Sequence, residues 1–128
     1  EDCHIILRGG HKPNYDMFSV DDACSLLDKA GLPPRLMIDA SHANSRKIPA
    51  RQAEVAADIA TQIRRGNRGI IGIMLESFIE AGRQNVVPGQ PLEYGKSITD
   101  PCMDWGTTET VLEELAEAVS ARRLLSDQ

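Results

Sequence analysis

The sequence predicts a parallel α/β architecture assembled from βαβ units. Three observations carry that expectation: three short apolar segments that read as strands, three segments whose apolar residues recur every three or four positions, and their regular alternation along the chain. The 128 residues leave room for one domain, 1–128, with no repeat or linker to divide it and no second domain.

The first strand is expected at His4–Leu7, ending on Arg8-Gly9-Gly10. Ser19 is placed to cap the first helix, with Asp22 in its first turn. Val20, Ala23, Cys24, Leu27 and Ala30 give that helix an apolar face, and Gly31 terminates it. Pro33-Pro34 break the chain before a second strand, Leu36–Asp39. Pro49, favoured in a first helical turn, opens the second helix. Its buried face is read as Ala53, Ala56, Ile59, Ala60 and Ile63; Arg64 and Arg65 suit its negative end and Gly66 stops it. Gly69–Leu75 is apolar without alternation, the pattern of a strand covered on both faces. The final helix is expected from near Thr107 to Arg123, with Val111, Leu112, Leu115 and Val119 as its buried stripe. Between that strand and that helix lie about thirty residues rich in Gly and Pro, a length that in compact domains usually signals function.

Composition narrows the function classes. Apolar residues make up 41% and charged residues 26%, as in ordinary globular domains, and aromatics only 4%, so the core is aliphatic. No apolar run approaches the roughly 20 residues of a membrane span, and no signal-peptide pattern opens the chain. A net charge of −5 argues against a nucleic-acid groove. Cys3, Cys24 and Cys102 are odd in number and widely spaced, which argues against a disulfide framework and for a reducing, cytoplasmic setting.

In parallel α/β folds the chemistry gathers where strands end. Here those positions are polar: Arg8 after the first strand, Asp39-Ala40-Ser41-His42 at the second, Glu76 after the third, with Lys96 and Asp100 in the long segment. Parallel neighbouring strands would direct Arg8, His42 and Glu76 into one crevice that Asp100 joins. One imidazole and two carboxylates make a divalent-metal set suited to Mn²⁺, Fe²⁺, Co²⁺ or Zn²⁺. Taken singly, each also has a structural reading: His42 as a bonded loop histidine, Glu76 as a solvated strand terminus, Asp100 as a turn initiator before Pro101. Arg8 offers a planar donor for phosphate or carboxylate, and Lys96 a phosphate contact. His4, His11, Arg46, Lys47, Arg64, Arg65 and Arg68 are read as solvent-facing or structural, Cys24 as core packing, and Trp105 as an anchor for the long loop.

Four ordered segments carry a resemblance. Cys3-His4-Ile5-Ile6-Leu7-Arg8-Gly9-Gly10, Met37 to Ser45 (Met-Ile-Asp-Ala-Ser-His-Ala-Asn-Ser), Gly72-Ile73-Met74-Leu75-Glu76-Ser77 and Tyr94 to Asp100 (Tyr-Gly-Lys-Ser-Ile-Thr-Asp) resemble the feedback-regulated type I group of 3-deoxy-D-arabino-heptulosonate-7-phosphate (DAHP) synthases. The resemblance implies three consecutive βα units forming the C-terminal part of a (β/α)8 TIM barrel. It implies a transferase of the shikimate pathway that condenses phosphoenolpyruvate with erythrose 4-phosphate and releases phosphate. His42, Glu76 and Asp100 match metal ligands, Arg8 and His42 meet phosphoenolpyruvate, and Asp100 borders the substrates. In that family a fourth ligand is a cysteine far upstream, a role given to none of the three cysteines here. A Lys-Pro-Arg-Thr segment of the family is likewise absent from these residues. The segment alone is therefore expected to be inactive and the enzyme a homo-oligomer. Two rival readings are a sister synthase that uses arabinose 5-phosphate and a non-catalytic module that retains the motifs.

Overall fold

The computed structural model describes residues 3–125. Strand β1 (Ile5–Leu7), helix α1 (Met17–Lys29), strand β2 (Leu36–Asp39), helix α2 (Pro49–Arg64), strand β3 (Ile70–Met74) and helix α3 (Trp105–Leu125) follow one another, with a short 3-10 turn at Ala43–Ser45. The strands form one parallel sheet in the order β1-β2-β3, each followed by a helix. The expected alternation and all three strands are present.

Helices cover one face of the sheet. Leu36, Ile38 and Ile70 meet Val20, Val55, Ile59, Ala60, Ile63 and Ala118 in an aliphatic core, with Leu7, Cys24 and Ile73 packed against it. Ile70 and Ile73 are three residues apart, yet both join this core. Strict alternation would send them to opposite faces. The pairing Leu36↔Ile70 followed by Met37↔Gly72 skips Ile71, and this bulge restores Ile73 to the helix side.

Both-face coverage of the third strand is not what the structure shows. Ile71 is 54% exposed and Ile5 46%, so the face away from the helices is open along with both sheet edges. Among the described residues the helices form a single layer, on the other side of the three strands.

Helix α1 starts two residues before the expected cap. Asp16 caps it, its carboxylate accepting the Ser19 N–H (3.1 Å) and hydroxyl (2.7 Å), so Ser19 lies inside the first turn as a donor. That hydroxyl bond, working against partial burial, holds the Asp16 carboxyl below its ordinary value. Helix α2 begins at Pro49 as expected, and its buried face includes Gln52 and Gln62. Helix α3 begins at Trp105, before Thr107, with Asp104 accepting the Thr107 N–H at 2.8 Å. Val111 and Ala118 are buried along α3 and Leu115 and Val119 pack on the core, while Leu112 faces solvent. Trp105 is 53% exposed, and its backbone N–H meets the Ile79 carbonyl of the long segment at 3.3 Å.

The carboxyl ends of β1 and β2 are stitched by one buried amide. Asn44 Nδ2 donates to the carbonyls of Leu7 (3.1 Å) and Asp39 (2.8 Å), and its Oδ1 accepts the Asn14 N–H (2.8 Å). Asn14 in turn accepts the Gly9 N–H at 2.8 Å. Gly9 has φ +77°, and a Cβ there would come within 2.8 Å of the Ala43 Cβ, so the two loops touch backbone to backbone.

Two expected outcomes follow from this packing. Asn44→Ala leaves two carbonyls and an N–H without their buried partner and should lower stability by about 2–3 kcal/mol in urea denaturation. The 128 residues expressed by themselves should associate through the open sheet face, giving a light-scattering mass above that of one chain.

Candidate metal centre at the strand ends

Strand β2 ends in a turn wound around its last side chain. Asp39 is 4% exposed. Its Oδ1 accepts the Ser41 N–H (2.9 Å), the Ser41 hydroxyl (3.1 Å) and the His42 N–H (3.2 Å). Its Oδ2 lies 2.6 Å from His42 Nδ1. Burial pushes the Asp39 carboxyl up, but the hydrogen bonds from Ser41 and His42 outweigh it and hold the group below its ordinary value. The Ser45 hydroxyl closes the turn by donating to the Ser41 and His42 carbonyls. The imidazole thereby stands at the carboxyl end of the central strand with Nε2 turned toward Glu76 Oε1, 3.9 Å away.

Glu76 follows β3 by two residues and is held through its backbone. Gln52, buried on α2, accepts the Glu76 N–H (2.8 Å) and donates to its carbonyl (3.2 Å). That carbonyl also accepts the Met103 N–H at 3.0 Å.

The long segment is ordered by its own backbone. Gly82 and Cys102 exchange two N–H···O bonds of 2.9 and 3.1 Å, Gln84 N–H meets the Ser97 carbonyl at 2.8 Å, and Phe78 N–H meets Met103 at 3.0 Å. The fold-back carries Asp100 to the strand ends.

His42, Glu76 and Asp100 each offer one ligand atom, and these atoms lie within 4.8 Å of one another. They border a hollow of about 60 Å³ together with Ser41, Lys47, Pro49, Gln52 and Pro101. A space of that size takes an ion with a few waters. Burial first, and then the Asp100 charge, push the Glu76 carboxyl above its ordinary value. The sign is set by that direction: ionising Glu76 costs stability as pH rises through its folded value, and a cation among the donors would offset the cost. One nitrogen and two hard oxygens fit a divalent metal.

Three of the four residues expected in one crevice are therefore together. Arg8 is exposed at the same carboxyl-end side of the sheet, one residue beyond β1, but does not line the hollow. Lys96 is paired with Glu93 at 3.1 Å and lines a separate hollow beside Tyr94 and Leu92. No cysteine joins the donor cluster among the described residues.

Lys47, read from sequence as a solvated charge, borders the donor hollow, and its ammonium has no hydrogen bond or ion pair among the described residues. Arg46 and Lys47 adopt left-handed φ of 54° and 59°, two non-glycine residues in succession. Such backbone costs of order 1–3 kcal/mol per residue and collects at functional sites. Gln52 and Asn44 also escaped the sequence reading, because a buried amide has no hydrophobic period. The signal for Asp39 was available: an aspartate three residues before a histidine at a strand end can reach its ring.

A parallel α/β sheet with a metal-competent donor set at the carboxyl ends of its strands defines the class of the protein. Residues 1–113 match the DAHP synthetase I family, and the chain belongs to it. It is 52% identical over 122 residues to the Phe-sensitive phospho-2-dehydro-3-deoxyheptonate aldolase of Escherichia coli K12, covering 95% of this chain and 35% of that protein. The Trp-sensitive aldolase of Salmonella typhimurium is 52% identical over 119 residues, covering 93% of this chain and 34% of that protein. The solved structure of phospho-2-dehydro-3-deoxyheptonate aldolase from Francisella tularensis SCHU S4 superposes with a TM-score of 0.88 at 46% identity, covering 93% of this chain and 35% of that one. The chain thus spans about a third of the length of the curated relatives it matches. No helix among the described residues is long and apolar enough to cross a membrane.

Proposed function

We propose that these residues form the C-terminal part of a (β/α)8 barrel that condenses phosphoenolpyruvate with erythrose 4-phosphate and water to give DAHP and phosphate. The water adds at the enol-phosphate carbon as the adjacent carbon attacks the aldehyde. The convergence of the His42, Glu76 and Asp100 donor atoms within 4.8 Å, in a chain of this family, is the observation that supports it. A non-catalytic module would have no need to hold two carboxylates and an imidazole so close together. The relatives are phospho-2-dehydro-3-deoxyheptonate aldolases, which favours a heptonate product over the arabinose 5-phosphate alternative. The setting proposed is cytoplasmic, and the assembly a homo-oligomer.

His42 Nε2 and the carboxylates of Glu76 and Asp100 would hold Mn²⁺, Fe²⁺, Co²⁺ or Zn²⁺. When bound, the metal supplies Lewis-acid polarisation of the sugar-phosphate aldehyde. Arg8 binds the phosphate or carboxylate of phosphoenolpyruvate through its fork of N–H donors. Lys47 takes an anionic substrate oxygen at the rim of the hollow, and its strained backbone is the cost of that placement. Lys96 is a further phosphate contact once released from Glu93. With two substrates held side by side, the reaction gains most from orientation.

The test uses the intact protein and follows phosphoenolpyruvate consumption with erythrose 4-phosphate and Mn²⁺. His42→Ala, Glu76→Ala and Asp100→Ala should each keep the fold and lose metal affinity and turnover. Near-normal metal content and rate in any of them would remove that residue from the ligand set, and near-normal values in all would end the metal reading. Arg8→Lys and Lys47→Met should raise KM about 10-fold or more at unchanged metal content. Loss of metal in place of substrate affinity would reject the anion-binding roles. The 128 residues alone should show no turnover.

A further inference from the structure

We infer that Asp39 is a positioning residue that fixes the tautomer of His42, holding the proton on Nδ1 and leaving Nε2 as the nitrogen with a free lone pair. The inference rests on the metal-site reading only for what Nε2 is used for; the tautomer itself follows from the hydrogen bonds.

Asp39 Oδ1 is surrounded by donors: two backbone N–H groups and the Ser41 hydroxyl. A carboxyl group so placed is an acceptor, and an ionised carboxylate accepts at both oxygens. The 2.6 Å contact between Oδ2 and His42 Nδ1 then takes its proton from the ring. Among the described residues the only other group at Nδ1 is the Ser41 hydroxyl at 3.1 Å, which is equally far from Asp39 Oδ1 and can place its own proton there. On the opposite side, Nε2 has no hydrogen-bond acceptor within reach among the described residues, since Glu76 Oε1 stands at 3.9 Å. A proton on Nε2 would be wasted, and one on Nδ1 is bonded.

The anchor is rigid. Asp39 is the last residue of β2, paired with Met74 of β3, and its carbonyl is held by Asn44 at 2.8 Å. The ring is therefore indexed to the sheet and not to the loop that carries it. A carboxylate behind a ligating imidazole sets its orientation and raises its basicity, and its loss typically costs 10–100-fold in metal affinity.

The experiment uses the intact protein, metal-free at pH 8, with ¹⁵N-labelled histidine and two-bond N–H correlation spectra. His42→Gln identifies the His42 signals by their disappearance. The wild type should show Nδ1 protonated and Nε2 bare. Asp39→Asn presents an amide to Nδ1 and should move population toward the Nε2–H form, with a 10–100-fold fall in Mn²⁺ affinity at unchanged circular dichroism. Ser41→Ala should leave the tautomer as in the wild type. A wild type protonated on Nε2 overturns the inference without any variant having to fold, as does a tautomer that follows Ser41 and not Asp39. If the wild type shows Nδ1–H but binds no Mn²⁺, the metal reading fails while the assignment of Asp39 stands.

Discussion

Parallel strands that end side by side expose carbonyls with no partner strand beyond them, and the structure answers this with the amide of Asn44. Its donors reach β1 and β2 at once, and its acceptor holds Asn14, which in turn holds Gly9. A buried amide that satisfies groups on three separate segments sets the distance between strand ends more firmly than any loop can. The turn that carries His42 starts from the strand end this amide secures, and so does the relation of Arg8 to it.

The donor set is assembled by the same device repeated. Glu76 is placed by Gln52, whose amide bonds both the N–H and the carbonyl of the residue, so helix α2, together with the Met103 N–H on the same carbonyl, sets its height above the sheet. Asp100 arrives by a different route, on a segment that folds back through its own backbone bonds. Charge then opposes geometry: burial and the Asp100 carboxylate both raise the Glu76 carboxyl. Side-chain bonds of about 1 kcal/mol net each are small singly, but their joint effect is to hold like charges where they would otherwise separate.

Hydrophobic pattern made the order of elements legible, since residues 36–38 and Ile70–Met74 are apolar runs, the first soon after Pro33-Pro34 and the second directly after Gly69, and α2 opens on Pro49. The same signal concealed the start of α1. Met17 and Phe18 are apolar but exposed, so the buried period begins only at Val20 and points to Ser19, while Asp16 makes the cap. The bulge at Ile71 was hidden because an unbroken run of Ile and Gly looks the same with or without a skipped residue. At the site, His42, Glu76 and Asp100 were legible as residue types at strand ends and as parts of the resembling motifs. Lys47 was not, because nothing in Arg-Lys distinguishes a solvated pair from one held in left-handed backbone; only φ does.

The approach of Gly9 to Ala43 also bears on how the loops can diverge. A Cβ at Gly9 would lie 2.8 Å from the Ala43 Cβ and 2.9 Å from the Asn44 nitrogen, and Gly9 itself has a conformation other residues resist. Bulk gained on one loop has no room on the other, so the two cannot drift separately. Any redesign that swaps the loop after the first strand has to carry the turn after the second strand with it, as one transplanted unit.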